Sequence, residues 1–320
     1  MAAVIHFVTQ SFLMHRPTIE HHQNSPMKII RARHMGMCFG VKDAIDLAME
    51  TGEHTPLTIL GELVHNDTVN AELKNRGVRV ERDLENVRTK LAMITAHGAS
   101  EKMKQSARDR GLLILEATCP LVRAAHRSVM RLAEEGYHPV IIGRHGHVEV
   151  RGLTEDLKEF DVVQDERDVA RLAPRSRFGV IAQTTQPLDR VGYLVEAIRA
   201  RHPHAEIRFV DTVCHPTKQR QAAAIELAKK VELVLVIGGA QSNNTAELCA
   251  TCRKHCPRVY HVQTAIDLRS EWFEGIKSVG ITAGTSTPQS TIDDIEKWVL
   301  AWVDEHAQPQ PTTESRCVAA

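Results

Sequence analysis

Aromatic side chains are scarce in this chain: 3 Trp, 3 Tyr and 7 Phe make up 4% of 320 residues. That leaves no set of rings on which single-stranded nucleic acid could stack. Net charge is lacking as well, since 40 basic and 40 acidic residues cancel formally. Without an excess of one sign there is no general electrostatic pull toward nucleic acid or an anionic membrane. No apolar run approaches the ~18 residues that a membrane-spanning helix needs. Residues 1–27 lack a basic stretch followed by an uninterrupted apolar core, so a secretory signal is not expected. The nucleotide-loop patterns G-x-G-x-x-G and G-x-x-x-x-G-K-S/T are both missing, which removes the ordinary dinucleotide and P-loop readings. Cysteines number seven, an odd count in a chain with no export signal. A disulfide framework is therefore not expected, and reduced thiols in a cytoplasmic protein are.

Three of those cysteines stand in one recurring frame. Cys38 follows Lys28-Ile29-Ile30-Arg31-Ala32 and opens the apolar-periodic run that begins at Val41. Cys119 follows Leu112-Leu113-Ile114-Leu115 and opens a run from Pro120. Cys214 follows Ile207-Arg208-Phe209-Val210 and opens a run after Pro216. Each reads as strand, short turn, cysteine, helix. A thiol so placed lies at a helix N-terminus, where unpaired N–H groups and the helix dipole favour thiolate and anionic ligands. The three frames are spaced about one third of the chain apart, which suggests three α/β units that bring one thiolate each to a common centre. The functional reading is iron–sulfur ligation; three thiolates on a four-iron cluster would leave one iron open for substrate. The bland reading is that cysteine is a small residue at home in cores. Zinc is a weaker competitor, because structural zinc takes close-spaced cysteine pairs.

Short β-rich runs alternate with helical patterns through most of the chain. Strands are expected at Leu57–Leu60, Lys90–Thr95, Leu112–Leu115, Pro139–Ile142, Gly179–Ala182, Leu233–Ile237 and Ser278–Ile281. Helices are expected over 41–50, 66–75, 101–109, 120–135, 188–201, 217–230, 244–255 and 289–303. The alternation predicts an α/β fold of three similar lobes with small, mostly parallel sheets. The lobes are expected at 28–118, 119–210 and 211–305, with flexible ends at 1–27 and 306–320. Ligand sites in such sheets lie beyond the carboxyl ends of the strands.

Several polar groups fall there. His65, His97 and His147 sit in glycine-flanked loops after strands, where imidazoles could donate to a phosphate-type anion or, alternatively, bind a metal. His145 and His215 are ambiguous, and His6, His21, His22, His202 and His204 read as ordinary surface or core residues. The loop Gly238-Gly239-Ala240-Gln241-Ser242-Asn243-Asn244-Thr245 and the loop Gly284-Thr285-Ser286-Thr287-Pro288 offer hydroxyls, amides and backbone N–H groups to phosphate oxygens. Plain N-capping by Ser or Asn is the simpler account of either loop taken alone. Glu149 is the carboxylate picked as proton donor and Thr184 the hydroxyl picked as its relay. A lone glutamate is ordinarily a solvated surface charge. Cys249, Cys252 and Cys256, followed by Pro257, form C-x2-C-x3-C-P, which imitates a ferredoxin spacing. Their spacing is also helical, and they are read as small apolar residues on a packed helix face.

Taken in order, Gly36-Met37-Cys38-Phe39-Gly40-Val41, Val64-His65-Asn66, Ala96-His97-Gly98, Ala117-Thr118-Cys119-Pro120, Gly146-His147-Val148-Glu149, Gln183-Thr184-Thr185, Val213-Cys214 with Arg220-Gln221, Ser242-Asn243-Asn244 and Thr282-Ala283-Gly284-Thr285-Ser286-Thr287-Pro288 resemble the IspH (LytB) family of 4-hydroxy-3-methylbut-2-enyl diphosphate reductases. The resemblance covers roughly 28–305. It implies three α/β lobes in pseudo-threefold array around a [4Fe-4S] cluster held by Cys38, Cys119 and Cys214. It implies that His65, His97, His147, Ser242, Asn243, Asn244 and Ser286 line a diphosphate site, and that Glu149 delivers protons with Thr184 in the relay. The implied reaction is reductive removal of an allylic hydroxyl as water, giving isopentenyl and dimethylallyl diphosphate. An external donor such as flavodoxin or ferredoxin would supply the electrons. Asn243 departs from the serine many relatives carry, and the lead-in His34-Met35 and the run Cys214-His215-Pro216 are unusual. Two rival readings remain open: an aconitase-like hydro-lyase, which needs no reductant, and a non-catalytic iron–sulfur sensor, which needs no diphosphate pocket.

Overall fold

The computed structural model describes residues 27–64 and 66–307. Its strands are β1 (Lys28–Arg31), β2 (Leu57–Leu60), β3 (Arg79–Glu81), β4 (Leu91–Ile94), β5 (Leu113–Glu116), β6 (His138–Ile142), β7 (Asp161–Val163), β8 (Arg177–Ala182), β9 (Glu206–Phe209), β10 (Leu233–Ile237), β11 (Arg258–Val262) and β12 (Ser278–Ala283). Its helices are α1 (Phe39–His54), α2 (Asp67–Asn75), α3 (Glu101–Asp109), α4 (Pro120–Glu134), α5 (Val148–Thr154), α6 (Glu166–Arg171), α7 (Leu188–Arg201), α8 (His215–Ala228), α9 (Asn243–Arg253) and α10 (Gln289–Ala307). No helix among the described residues is long and apolar enough to cross a membrane.

The strands form three parallel sheets of four, ordered β3-β2-β4-β5, β7-β6-β8-β9 and β11-β10-β12-β1. The order is the same in each, and the strand that leads to a cysteine is always an edge. Inner strands such as Leu57-Thr58-Ile59-Leu60 and Leu233-Val234-Leu235-Val236-Ile237 are buried along their whole length. Burial on both faces is what helices on both sides of a parallel sheet require. After each cysteine the chain leaves one sheet and its helix packs on the next: α1 on β2, α4 on β6 and β8, α8 on β10 and β12. The first such strand has no earlier sheet to complete, so β1 closes the last one. Its register runs Lys28 opposite Ser278 to Arg31 opposite Ile281. A division that groups 28–31 with the rest of 28–118 therefore does not follow the sheets.

All eight expected helices form within a few residues of their expected limits. The short α5 and α6 and the edge strands β3, β7 and β11 escaped detection. Arg-Val-Glu and Asp-Val-Val are too short and too polar to give a period, and they pair only because β2 and β6 offer an edge. Met27 is buried against the third sheet and α10 continues through Ala307. The remainder of the expected flexible ends lies outside the described residues, as does His65.

The helical reading of the C-x2-C-x3-C-P run holds for Cys249 and Cys252, which lie in α9; Cys256 follows its end. All three pack with Leu248, Val234, Val236 and Val259 in the core between α8, α9 and the third sheet. Burial pushes the Cys249 thiol up to about 11 and that of Cys252 up to about 12. Thiols that stay protonated in an apolar shell are inert.

Candidate functional site

Each framed cysteine is the N-cap of its helix: Cys38 of α1, Cys119 of α4 and Cys214 of α8. Proline near the start of α4 and of α8 helps to set those beginnings, since its fixed φ suits the first turn. The backbone anchoring repeats threefold. The N–H of Cys38 donates to Thr285 O at 3.1 Å, that of Cys119 to Ala96 O at 3.0 Å and that of Cys214 to Thr184 O at 2.9 Å. Thr285, Ala96 and Thr184 each stand two residues beyond the end of a sheet-interior strand, β12, β4 and β8. The cysteine carbonyls accept in turn from Lys42, Arg123 and Lys218. Main-chain bonds thus hold every cysteine on both sides, and the sulfur is not used for capping.

The sulfurs share one neighbourhood. A Cβ built on Gly40, in the first turn of α1, would lie 2.6 Å from Cys119 Sγ. The α1 terminus can meet Cys119 only because that residue is glycine. The charge of Cys38 raises the pKa of both Cys119 and Cys214, and so does the charge of Glu149. Thiols at helix N-termini are expected to be acidified, and N–H groups of Leu121, Val122 and Thr217 do act on these sulfurs in that direction. Burial is the larger effect for both, and Cys119 and Cys214 end above the ordinary thiol value. The dipole argument is local; desolvation by three lobes closing on one point is not. Among the described residues, no three His, Cys, Asp or Glu side chains close on a site for a metal ion.

Polar loops from the carboxyl ends of the inner strands border this centre. The rings of His97 and His147 meet edge to face with centroids 5.6 Å apart. His147 caps α5, its Nδ1 accepting from the Glu149 N–H at 3.1 Å. That bond leaves the proton of a neutral imidazole on Nε2, a donor position. In the third lobe Ser242 caps α9 by accepting from the Thr245 N–H, so the capping role expected as the simple account is real. Ser286 is buried in the loop after β12. A Cβ on Gly284 would sit 3.6 Å from Asn244 Nδ2, so the two loops of this lobe are in contact. Arg144 reaches Asn243 Oδ1 from the second lobe at 3.5 Å. The Nδ2 donors of Asn243 and Asn244 are both buried with no hydrogen-bond acceptor. Two unsatisfied Nδ2 groups side by side in the first turn of α9 are costly unless something supplies acceptors.

Glu149 is the decisive group. It sits in the first turn of α5, yet its side chain is only 1% exposed. Its Oε1 accepts from the Thr184 N–H at 2.6 Å and its Oε2 from Thr184 Oγ1 at 3.0 Å. Burial lifts its pKa from 4.5 to about 7, against the two Thr184 bonds that pull it down. A carboxyl in that range divides between its protonated and ionised forms near neutral pH, so it can both hold and give away a proton there. Thr184 also supplies the carbonyl that anchors Cys214, so carboxyl and thiol are fixed by one residue.

A family model described as LytB protein matches residues 29–300. The chain belongs to the LytB family. Among curated members, a Geobacter metallireducens protein named 4-hydroxy-3-methylbut-2-enyl diphosphate reductase is 37% identical over 271 residues, covering 84% of this chain and 95% of the relative. A Geobacter sulfurreducens protein of the same name is 38% identical over the same length and shares of the two chains. A solved Plasmodium falciparum structure, titled as the E-1-hydroxy-2-methyl-but-2-enyl-4-diphosphate reductase, superposes with a TM-score of 0.79 at 27% identity, over 85% of this chain and 87% of that one. A second, titled (E)-4-hydroxy-3-methyl-but-2-enyl diphosphate reductase, the terminal enzyme of the non-mevalonate pathway, gives 0.64 at 35% identity, over 85% and 99%. The fold of three four-stranded parallel sheets with helices is the LytB architecture.

Two residues of this LytB chain were not picked from sequence for a role at the centre. Thr217 Oγ1 lies 3.1 Å from Cys214 Sγ, and Arg220 is buried beside the same helix start. Their signal is the spacing 214, 217, 220, one helix face carried inward from the cysteine. Gly40 tests the packing. Alanine in a helix interior ordinarily gains up to about 1 kcal/mol over glycine. Here its methyl meets Cys119 Sγ, so Gly40→Ala is expected to destabilise the metal-free protein by about 1–3 kcal/mol, read as a lower thermal midpoint.

Proposed function

We infer that this chain is a 4-hydroxy-3-methylbut-2-enyl diphosphate reductase, an oxidoreductase of the terminal step of the non-mevalonate pathway. The observation that carries the reading is a buried glutamate, its pKa raised to about 7, beside three helix-capping cysteines in a LytB fold. Cys38, Cys119 and Cys214 would hold a four-iron cluster. Their chemistry suits it: three thiols at helix starts, brought into one neighbourhood, supply the soft donors that such a cluster takes. When bound, such a cluster supplies electrons one at a time and a Lewis-acidic iron.

The remaining chemistry belongs to the chain. The Nε2 of His147, together with His97, Ser242, Asn243, Asn244 and Ser286, directs donors toward a diphosphate, and the buried Nδ2 groups of Asn243 and Asn244 gain the acceptors they lack. His65 belongs to the same set by its place in the motif. Anchoring the diphosphate orients the allylic alcohol end, an entropic contribution to rate. Glu149 gives its proton to the departing hydroxyl and draws the next through Thr184 Oγ1. The allylic C–O bond breaks, two electrons and two protons enter, one oxygen leaves as water, and isopentenyl and dimethylallyl diphosphate result. Flavin and nicotinamide fingerprints are missing from the sequence, so a one-electron carrier such as flavodoxin or ferredoxin delivers the electrons.

Reductant dependence is the deciding test. Protein reconstituted with iron and sulfide under anaerobic conditions is expected to consume the hydroxylated allylic diphosphate with added reductant and to be silent without it. Turnover without reductant would establish the hydro-lyase instead. Iron uptake with no affinity for the diphosphate would establish the sensor.

A further inference from the structure

Arg220 is charged at every accessible pH, yet it is 8% exposed. Its Nε donates to Gly36 O at 2.9 Å and its Nη1 to Pro216 O at 3.1 Å. Gly36 stands two residues before Cys38 and Pro216 two residues after Cys214. The guanidinium therefore bridges the approach to one cysteine and the departure from another, across two elements 184 residues apart in sequence. Both recorded acceptors are neutral carbonyls. Among the described residues it forms no ion pair with a carboxylate; burial works against its charge, and the groups that would favour that charge are Cys38 and Cys214 when their sulfurs are ionised. A buried cation without a counter-ion is costly by several kcal/mol, so its position has meaning only if negative charge gathers at those two sulfurs.

We propose that Arg220 is the positioning residue of the cysteine centre: it clamps the Cys38 loop to the first turn of α8 and sets one fixed positive charge against the sulfurs of Cys38 and Cys214. The assignment deepens the iron–sulfur reading and rests on it. Two effects follow, separable by chemistry. As a charge, Arg220 favours the more negative, reduced form of whatever the thiolates hold. As a forked donor, it restrains Gly36, a residue at φ 72° whose loop carries Cys38. Lysine keeps the charge and loses the fork; glutamine keeps donor capacity and loses the charge. A cleft of about 290 Å³ lined by Arg33, Met37, Cys38, Pro216 and Arg220 gives water access to the space that a shorter side chain leaves.

The experiment compares wild type, R220Q and R220K after anaerobic reconstitution, by spectroscopic redox titration and by the rate of iron loss to a chelator. In R220Q, one-electron reduction is expected to become at least tenfold less favourable, a fall of about 59 mV in midpoint potential. In R220K the potential should stay within that margin, while iron is lost several-fold faster than from wild type. An unchanged potential in R220Q together with unchanged iron loss in R220K overturns the assignment. Should R220Q fail to fold, as seen in the melting of its metal-free form, R220K alone decides, and wild-type iron retention in it overturns the clamp. Wild-type protein that takes up no iron overturns the parent reading as well, and that result is distinct because it precedes any variant.

Discussion

Serine at position 38, 119 or 214 is expected to abolish iron retention, with at least a tenfold loss of iron per chain after reconstitution and desalting, while Cys252→Ser keeps wild-type iron. The thiolate is the soft ligand that holds an iron–sulfur cluster, and a serine hydroxyl does not ionise near neutral pH. Each framed cysteine ends a different sheet, so none can be replaced by a neighbour: the N–H anchors at Thr285, Ala96 and Thr184 fix them independently. Cys252 is fully buried among Leu248, Val234 and Val259. Serine there leaves a hydroxyl in an apolar core and is expected to cost about 1–3 kcal/mol of stability, without touching the centre. The opposite pattern, iron lost from Cys252→Ser and kept in the other three, would move the metal site to α9.

Glu149→Gln is expected to lower turnover by about 10²–10⁴-fold and to leave diphosphate affinity near wild type. Glutamine preserves shape and can still accept the Thr184 N–H, but it has no proton to give. Unchanged turnover would remove Glu149 as the acid. The same substitution has a signature in the metal-free protein that does not depend on activity. The carboxyl has a folded pKa of about 7 against an ordinary 4.5, so between those values the folded state binds the extra proton. Stability from this group is whole below about pH 4.5 and is lost as pH rises through about 7, a decline of about 3 kcal/mol. Glu149→Gln removes that decline. Its melting curve should therefore approach and pass that of wild type as pH is raised, and a parallel pH dependence in the two proteins would contradict the buried-acid assignment.

Both results turn on features that were unequally legible in the primary structure. The cysteine frames were legible because strand, turn, cysteine and helix are contiguous, and Pro120 and Pro216 mark helix starts by their own backbone preference. The helices of 9 residues or more, α1–α4 and α7–α10, were legible by periodicity, and the buried inner strands by their unbroken apolar runs. Edge strands of three residues were not, because they carry no period and are defined by a partner. Ser242 looked equally like an N-cap and a phosphate ligand in sequence. It is the N-cap of α9, and its neighbours Asn243 and Asn244, whose Nδ2 donors are buried and unpaired, are what point to a ligand.

The sequence by itself determined the α/β class and the three cysteine positions at helix starts, and by resemblance it pointed to Glu149 and the His, Ser and Asn loops as one motif set. The tertiary structure decided that β1 completes the last sheet, that Glu149 is buried and its carboxyl raised toward neutral pH, that burial outweighs the helix dipole at Cys119 and Cys214, and that Arg220 ties the Cys38 loop to the start of α8. Helix starts and strand runs depend on residues a few positions apart. Desolvation and charge at a point depend on every element that closes around it, and those elements come from all three lobes.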